Sequence, residues 1–281
     1  MKALEDQYPT RELCAAFAVS RSGYYAWKQR PLSARQRRDA ELGAQLRRLH
    51  EQSRRTYGSP RLLEALRQEG ERISRRRVCR LMRQQQLHAV RPRRFVPHTT
   101  DSRHDQPIAP NRLAQAPAPD GPDQQWVSDL TYVRTQEGWL YVAAIMDRWS
   151  RRIIGLAMAE HMESRLVEQA LAQALRQRRP AAGGLFHSDR GSQYASAAVR
   201  AQLRAHGLVT SMSRAGNCYD NAAMESFWGK LKNELVYRSH FDTRQAARLA
   251  IFEYVEVFYN RARLHSALGF KSPVDFEQQL N

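Results

Sequence analysis

The chain carries the sequences FHSDRGSQY at residues 186–194 and GNCYDNAAMESFWGKLK at residues 216–232. Asp189 follows a short apolar run that predicts a buried strand. Glu225 lies in a segment of helical periodicity, whose apolar face would be formed by Met224, Phe227, Leu231 and Leu235. The carboxylate of Glu225 falls at the edge of that face, and Lys232 follows two turns later. Two carboxylates on rigid elements beside a cation indicate a divalent metal site, which requires a third ligand from elsewhere in the chain.

The candidate for the third carboxylate lies upstream, in the sequence WVSDLTYV at residues 126–133. This segment is rich in β-forming residues and predicts a strand with Asp129 in its middle. A charge inside an apolar strand is unfavourable unless a partner compensates it. For Asp129 taken alone, a salt bridge or a capping role is the simpler interpretation. Together with Asp189 and Glu225, it favours a metal site.

Two other acidic residues compete with these three as candidate ligands. Asp147 precedes Arg148 and Arg151, so we expect an ion pair there. Asp220 lies just before the predicted helix that carries Glu225, where a capping role explains it. His187 lies two positions before Asp189. It either orients the site or is an ordinary core histidine.

Positive charge is the strongest compositional feature of these 281 residues, with a formal net charge of +17 and a sequence pI of about 10.5. Such a chain is expected to bind a polyanion, nucleic acid before anionic membrane. Residues 1–111 hold 24 Lys/Arg and 11 Asp/Glu, whereas residues 112–281 hold 21 and 17. DNA affinity is therefore expected mainly from the first part, and the near-balanced second part is free to carry chemistry.

Several classes of protein are disfavoured by composition. No apolar run approaches the ~20 residues of a membrane span, and the N-terminus lacks the apolar core of a signal peptide. Cys14, Cys79 and Cys218 are widely separated and have no metal-ligand spacing, which argues against a zinc site or a disulfide framework. We therefore expect a cytoplasmic protein.

Two helical units of the helix-turn-helix kind are predicted at residues 1–36 and 37–90. In the first, Arg21 and Tyr24 begin a second helix, where side chains reach base edges or phosphates, although a purely structural helical hairpin is the alternative. In the second, Ser74 is expected to cap a helix whose apolar residues face inward. A basic outer face is often merely solvated, but here it predicts a recognition helix in the major groove. The arginines of that face are Arg75, Arg76, Arg80 and Arg83.

Residues 91–124 hold seven of the 12 prolines and no sustained periodicity, which predicts a semi-extended linker. Within it, Arg93 and Arg94 are candidates for tracking a phosphate backbone. From residue 125, three apolar strands with short connections predict an antiparallel meander, after which helices alternate with strands. Residues 125–281 are therefore expected to form an α/β unit, a mixed sheet covered by helices.

Three sequence contexts resemble one family. Asp129 in WVSDLTY, Asp189 in HSDRGSQY and Glu225 in DNAAMESFW match the DDE catalytic core of bacterial insertion-sequence transposases, of the second-open-frame (OrfB) type with a core like that of retroviral integrases. The 35 residues between the last two carboxylates and the lysine seven positions after Glu225 are specific to that family. The tail NRARLHSALG at residues 260–269 is also similar to the family, so the resemblance covers nearly the whole chain.

This resemblance implies an RNase H-like fold in which the three carboxylates bind two Mg²⁺ or Mn²⁺ ions. It implies metal-dependent nicking at the ends of a DNA element, with water as the nucleophile, followed by strand transfer by the freed 3′-hydroxyl. Lys232 is then expected to contact the terminal DNA, the alternative being a solvated helix lysine. Asn217 and Asn221 are expected to position DNA, although turn and cap roles suit them equally.

The expected partner is double-stranded DNA, namely the terminal inverted repeats of the element and a target. The resemblance also implies a homo-oligomer on DNA, association with the bacterial nucleoid, and fusion or pairing with an upstream-frame product. Two other functions compete: a DNA-binding regulator whose core no longer cuts, and a structure-selective nuclease of the same fold. The first is disfavoured because all three carboxylates are present. The second does not account for the two N-terminal helical units.

Overall fold

The computed structural model describes three stretches of the chain: residues 1–91, 106–214 and 221–280. Five residues discussed above lie outside these stretches: Arg93, Arg94, Asn217, Cys218 and Asp220. None of the helices within them is long and apolar enough to cross a membrane.

The first two helices, α1 (Thr10–Ala16) and α2 (Arg21–Gln29), form the predicted N-terminal pair. Arg21 is exposed on the first turn of α2, which leaves its guanidinium accessible. Tyr24 is buried instead and donates a hydrogen bond to the Glu5 carboxylate. The prediction that Tyr24 reaches DNA is therefore wrong.

Three longer helices follow, namely α3 (Ala34–Gln52), α4 (Ser59–Gln68) and α5 (Arg75–Gln84). Ser74 caps α5 as predicted, because its hydroxyl accepts a hydrogen bond from the Arg77 N–H at 3.3 Å. The apolar sides of the three helices are buried together, and this removal of apolar surface from water holds them to one another. The buried side chains include Leu42, Leu46, Leu62, Leu66, Val78, Leu81 and Met82.

This helical unit is packed against the C-terminal part of the chain. The Tyr57 hydroxyl accepts a hydrogen bond from the Leu264 N–H at 2.6 Å. Arg61 Nε donates to the Leu264 carbonyl at 2.9 Å. Leu264 itself is buried in the apolar cluster that contains the leucines of α3 and α4. The basic helices are thus attached to the rest of the molecule through buried contacts.

Residues 106–124 form neither helix nor strand, as the proline content predicts. They are nevertheless not a free spacer. The N–H groups of Arg112 and Leu113 both donate to Ser211 Oγ, at 2.9 and 3.1 Å, and the Leu113 side chain is buried. This part of the expected linker therefore packs on the sheet.

Five strands form one mixed sheet, as the sequence predicts. They are β1 (Gln125–Thr135), β2 (Gly138–Asp147), β3 (Ile153–Ala159), β4 (Leu185–Ser188) and β5 (Val209–Met212). Their order in the sheet is β3-β2-β1-β4-β5. The first three pair antiparallel, which is the predicted meander, whereas β4 pairs parallel with both β1 and β5.

Helices cover both faces of the sheet. They are α6 (Ser164–Gln177), α7 (Ser192–Ala195), α8 (Ala197–Ala205), α9 (Ala222–Glu234), α10 (Arg244–Glu253) and α11 (Pro273–Glu277). Successive strand side chains point to opposite faces. Accordingly, Trp126 and Leu130 pack with α6 and α8, while Val127 and Val133 pack with α9 and α10. The π-helical turn Tyr254–Tyr259 extends α10, and its aromatic side chains are buried in the core.

The pairing of β1 with β4 determines where polar side chains can gather. Gln125 pairs with Leu185, and Val127 pairs with His187. The pairing ends at Val127, but β1 continues to Thr135. Beyond that point β1 contacts α9 instead, through hydrogen bonds described below.

Candidate active site and nucleic-acid interface

Asp129 and Asp189 lie just past the paired ends of two neighbouring parallel strands. The last pair of β1 with β4 is Val127 with His187, and each aspartate follows that pair by two residues along its own segment. The charge of Asp189 acts on the pKa of Asp129, which indicates that the two carboxylates lie near each other. Asp189 directly follows the last residue of β4, and its Oδ1 accepts the Gly191 N–H at 3.0 Å.

Glu225 is carried on the first turn of α9, which crosses β1 at the same place. One turn before it, Asn221 Nδ2 donates to the Ser128 carbonyl at 3.2 Å. One turn after it, Trp228 Nε1 donates to Asp129 Oδ2 at 3.1 Å. Residues three and four positions apart share a helix face, so Glu225 lies between two contacts to adjacent residues of β1. Its own side chain is exposed.

The surroundings of Asp129 disfavour its negative charge. Loss of solvation is the main reason that the pKa of Asp129 rises to about 7, and the charge of Asp189 adds to it, with a smaller contribution from Glu225. Hydrogen bonds from the Leu130 N–H, at 2.8 Å, and from Trp228 act in the opposite direction. Partial loss of solvation also raises the pKa of Glu225, although much of its side chain is exposed. A carboxylate such as Asp129, whose ionisation is disfavoured by burial and by neighbouring carboxylates, is one that a cation stabilises.

The carboxylates of this site suit a metal ion by their chemistry and not by their present spacing. In the described part of the chain, no three His, Cys, Asp or Glu side chains lie close enough together to hold a metal ion as they stand. Asp129 and Asp189 are half-buried, whereas Glu225 is exposed. The donor atoms are nevertheless all carboxylate oxygens, which suit Mg²⁺ or Mn²⁺ and not zinc, which in protein sites is mostly held by nitrogen and sulfur. The residues present therefore fit a hard divalent cation.

Lys232 is not the solvated helix lysine of the alternative interpretation. Lys232 is only 7% exposed, and its Nζ lies 5.6 Å from the centre of the Tyr132 ring. Burial lowers the pKa of Lys232, and the negative charge of Asp129 acts against that change. The ammonium group is thus close enough to the carboxylates to interact with them. Its contact with DNA stays a prediction.

Asn221 does not present its amide to solvent. The side chain is buried, and its Nδ2 is committed to the Ser128 carbonyl of β1. Its Oδ1 is also buried and has no hydrogen-bond partner among the described residues. This placement favours a clamp between α9 and β1 over the predicted contact with DNA.

His187 is a core histidine, the second of the two interpretations offered by the sequence. Its ring is fully buried between two hydroxyls, with Nδ1 2.9 Å from Ser211 Oγ and Nε2 3.0 Å from Ser213 Oγ. These contacts join β4 to the neighbouring strand β5. The histidine therefore supports the strand that ends at Asp189.

The predicted ion pair of Asp147 with Arg148 or Arg151 is not formed, although all three residues lie in the described part of the chain. Asp147 is fully buried, and its Oδ1 accepts hydrogen bonds from the N–H and the hydroxyl of Ser150, at 2.8 and 2.9 Å. Its Oδ2 accepts the Asp123 N–H at 2.7 Å. Donors from Ser150, in the turn after β2, and from Asp123, before β1, satisfy this carboxylate, which has a structural role.

A groove of about 780 Å³ lies along α5, and its lining contains five arginines: Arg35, Arg76, Arg77, Arg80 and Arg83. Arg76 and Arg83 are exposed, as predicted. Arg77 and Arg80 bind the carboxylate of Asp39 in α3, at 2.8 and 2.7 Å. One carboxylate thus faces two of the five guanidinium groups, and the groove keeps a surplus of positive charge suited to phosphates.

The predicted basic face of α5 needs two corrections. Arg75 is exposed but does not line the groove, and its Nε donates to Ser59 Oγ at 3.2 Å. Arg80 is half-buried and ion-paired, so its charge is partly used within the protein. Arg35 and Arg77, which the prediction did not name, also line the groove. Their involvement depends on how α3 and α5 pack, which helical periodicity within one segment does not specify.

Trp228 is the residue of the carboxylate site that the sequence did not identify. Its position three residues after Glu225, on the same side of the helix, was the available signal. A second unpredicted contact joins the Ser128 and Tyr194 hydroxyls at 2.9 Å. Both contacts hold the middle of β1, where Asp129 lies.

Three family models match the chain. A model described as "Integrase core domain" matches residues 119–218, and another with the same description matches residues 225–280. A model described as "HTH-like domain" matches residues 36–95. The first two cover the sheet and α9, and the third covers α3, α4 and α5.

Two solved structures are distant neighbours. One is the simian T-cell lymphotropic virus intasome in complex with a PP2A regulatory subunit, with 15% identity and a TM-score of 0.48 over 63% of this chain and 60% of that chain. The other is the HTLV-2 integrase catalytic core domain in complex with magnesium, with 14% identity and a TM-score of 0.44 over 56% of this chain and 98% of that chain.

Sequence relatives align along almost the entire chain. The insertion element IS600 uncharacterized 31 kDa protein of Shigella sonnei is 48% identical over 95% of this chain and 98% of its own length. The transposase InsF for insertion sequence IS3A of Escherichia coli (strain K12) is 40% identical over 97% of this chain and 95% of its own. By this identity over nearly full length, the chain belongs to the family of insertion-sequence transposases with an integrase core.

Proposed function

We propose that this chain is the catalytic transposase of an insertion element, which nicks DNA at the ends of the element and transfers the freed ends to target DNA. The observation that carries the proposal is the proximity of Asp129 in β1 to Asp189 directly after β4, whose charge raises the pKa of Asp129. The helix that bears Glu225 is bonded to the same point through Trp228. Three carboxylates on three elements of one core support phosphoryl transfer.

Asp129, Asp189 and Glu225 are proposed to hold two Mg²⁺ or Mn²⁺ ions. When bound, such ions supply Lewis acidity that activates the attacking oxygen and stabilises the leaving oxygen of an in-line phosphoryl transfer. The oxygen-only donor set supports this choice of cation. Glu225 is exposed at the start of α9. Its rotatable side chain is free to close on the half-buried pair.

The protein groups around Asp129 orient it before DNA binds. The Leu130 N–H donates to Oδ1 and the Trp228 indole donates to Oδ2, so both oxygens are held in a fixed plane. Each oxygen retains a further lone pair for a cation. Asp189 Oδ1 is positioned in the same way by the Gly191 N–H. Orientation by neighbouring donors of this kind is what a catalytic carboxylate requires.

Delivery of DNA is assigned to the basic N-terminal part. The arginine groove along α5 is proposed to hold the phosphate backbone, with Arg76 and Arg83 as its exposed members. Arg21 of α2 is proposed as a further contact. Lys232, buried beside Asp129, is proposed to face the terminal DNA at the site of cleavage. Arg93, Arg94 and Asn217 lie outside the described residues and remain candidates from sequence alone.

The DNA substrates, the oligomeric assembly and the protein partner expected from the sequence are part of the same proposal. The substrates are the terminal inverted repeats of the element and a target duplex, and two ends are brought together by a homo-oligomer assembled on DNA. Fusion or pairing with an upstream-frame product, and a cytoplasmic location at the nucleoid, are proposed on the family resemblance. The division into segments 1–36, 37–90, 91–124 and 125–281 is likewise a proposal.

Incubation of the protein with labelled DNA carrying the ends of its element, in Mg²⁺ or in EDTA, tests the function. We expect nicks at the element's ends in Mg²⁺ only, and none with Asp189→Asn or Glu225→Gln. Glu163→Gln is the matched control, because Glu163 is an exposed carboxylate of the same domain at the start of α6. It is expected to cut like the wild type.

Other outcomes of this experiment favour the competing functions. Binding to the ends without cleavage in either Mg²⁺ or Mn²⁺ would identify a regulator. Cleavage of unrelated branched DNA in preference to the ends would identify a structure-selective nuclease. Cleavage that persists in Asp189→Asn would place the chemistry elsewhere.

A further inference from the structure

A second cavity, of about 610 Å³, lies beside the carboxylate site. It is enclosed by the last residues of β1, the first residues of β2 and the segment that follows α9. Its lining includes Tyr132, Trp139 and Lys232. The proposed phosphoryl transfer leaves the aromatic groups of this cavity without a role.

Trp139 offers a large aromatic surface in this cavity. The residue is 45% exposed, although an indole ring is mostly apolar. Its ring centre lies 4.8 Å from that of Tyr132, with 79° between the ring planes. An edge-to-face contact of this kind holds both rings in fixed orientations. Tyr237 and Phe241 add further aromatic surface to the lining. A rigid and partly exposed ring is suited to stacking against a planar ligand.

The charges around the cavity suit an anionic ligand. Its described lining contains Arg134, Lys232 and His240 and no Asp or Glu. Arg134 is exposed. Outside the lining, Asp242 lies 3.5 Å from the His240 ring and Asp129 acts on Lys232, whereas Glu137 accepts a backbone N–H at the start of α10. Arg134 is therefore the cation of the lining that carries the argument for an anionic ligand. An aromatic surface flanked by cations favours a planar ring attached to a phosphate over a purely apolar ligand.

Polar groups also stand at the rim. Gln136 Nε2 lies 2.9 Å from His240 Nε2, and both side chains are exposed. An amide and an imidazole can donate to or accept from the edge of a heteroaromatic ring. The cavity therefore combines a stacking surface, cations and hydrogen-bonding groups, which together match a nucleotide.

The position of the cavity connects it with the cleavage site. Tyr132 follows Asp129 by three residues of β1, about 10 Å along the strand, so the two side chains leave opposite faces of it. Lys232 connects the two places: its Nζ lies 5.6 Å from the centre of the Tyr132 ring, and the charge of Asp129 acts on its pKa. A stacked DNA strand advances about 3.4 Å per nucleotide, so a strand with one phosphate at Asp129 spans this distance within about three nucleotides. Bases inside a duplex have both faces covered by their neighbours. Only a base released from pairing has a face to place on Trp139.

We propose that this cavity binds an unpaired base of the DNA strand next to the phosphate that is cut, and stacks that base on Trp139. The inference rests on the proposed function, since it requires DNA at the carboxylates. Stacking on an aromatic side chain tolerates any base, so the cavity selects for an unpaired nucleotide and not for a sequence. By holding that base, the protein keeps the two strands of the duplex apart at this point and holds the phosphate beside the carboxylates.

Equilibrium binding measured by fluorescence anisotropy in EDTA tests the cavity without cleavage. The same duplex is prepared in three forms: with blunt ends, with a single-stranded extension of three thymidines, and with an extension of three abasic residues. Each extension is placed on the 3′ end in one probe and on the 5′ end in another. We expect the wild type to bind a thymidine extension at least about five-fold more tightly than the abasic one. Trp139→Ala should abolish that preference and retain the affinity for the blunt duplex, and Trp139→Phe should retain part of it.

Phe252→Ala is the matched control, because Phe252 is an aromatic residue that is 51% exposed on α10 and is absent from the cavity lining. Circular dichroism establishes that each variant is folded. The proposal is overturned if the wild type ignores the unpaired bases at both ends, or if Trp139→Ala weakens binding to all probes equally. Nicking of end DNA in Mg²⁺ is measured separately. Base preference without nicking rejects only the proposed function, and nicking without base preference rejects only the cavity.

Discussion

The indole N–H of Trp228 donates to Asp129 Oδ2 across 3.1 Å, and this bond joins α9 to the middle of β1. Trp228 lies one helical turn after Glu225. The same bond therefore orients one carboxylate and fixes the helix that carries another. A shift of α9 along the sheet would move Glu225 and release Asp129 together.

Replacing Trp228 by Phe tests this coupling, because the change keeps an aromatic ring and removes the N–H. Loss of a hydrogen bond that favours the ionised form should raise the pKa of Asp129 further and loosen its orientation. We expect end nicking to fall by about 10- to 100-fold and to need more Mg²⁺, measured as single-turnover rates across a metal titration. Trp149→Phe, which changes a tryptophan packed on Phe276 outside the site, should cut normally. Equal losses in both variants would contradict the coupling.

The choice of the three carboxylates stays a prediction of the sequence, which depends on the distinctive local context of each and on the spacing between Asp189 and Glu225. The sequence was sufficient for the antiparallel strands, whose apolar runs are joined by short turns. The contacts between distant segments were not predictable. Arg80 faces Asp39 and Lys232 is buried against β1 because of how whole elements pack. Periodicity assigns a residue to a face of its helix and does not say what covers that face.

A pH dependence of stability is expected from Asp129. Its pKa rises from 3.8 to about 7 on folding, so the fold favours the protonated form. The stabilisation is complete below about pH 4 and is lost as the pH rises through about 7. In EDTA, the Tm of the wild type should therefore fall relative to that of Asp129→Asn between pH 5.5 and pH 8, by at least about 2 °C.

The comparison with Asp129→Asn isolates this effect, because the raised pKa values of Asp147 and Glu225 act in both proteins. Mg²⁺ should raise the Tm of the wild type more at pH 8 than at pH 5.5, since the ionised carboxylate is the ligand. It should affect Asp129→Asn less at both values. Parallel Tm curves for the two proteins in EDTA would show that Asp129 ionises normally in the fold.

The arginine groove makes a prediction about salt. Arg76 and Arg83 line it and are exposed, so each is expected to neutralise one DNA phosphate. Arg76→Ala/Arg83→Ala should reduce the slope of log K against log salt concentration by about two. The control Arg47→Ala/Arg67→Ala removes the same charge from exposed residues outside the groove lining and should leave the slope nearly unchanged. Similar slopes for the two double variants would indicate that net charge alone attracts DNA.

The final prediction concerns the buried ion pair at the end of α9. Arg263 is 1% exposed and donates two hydrogen bonds to Glu234, from Nε at 2.9 Å and Nη2 at 2.5 Å, while the Tyr254 hydroxyl donates a third at 2.8 Å. Burial alone would raise the pKa of Glu234, but Arg263 lowers it, so the carboxylate stays charged. Glu234→Gln leaves the guanidinium uncompensated and should lower the free energy of unfolding by about 3–5 kcal/mol, measured by urea denaturation.

Glu234→Gln/Arg263→Met should recover part of that loss, because the unpaired charge is gone. A double variant less stable than Glu234→Gln would mean that packing of the arginine, and not its charge, holds α9 in place.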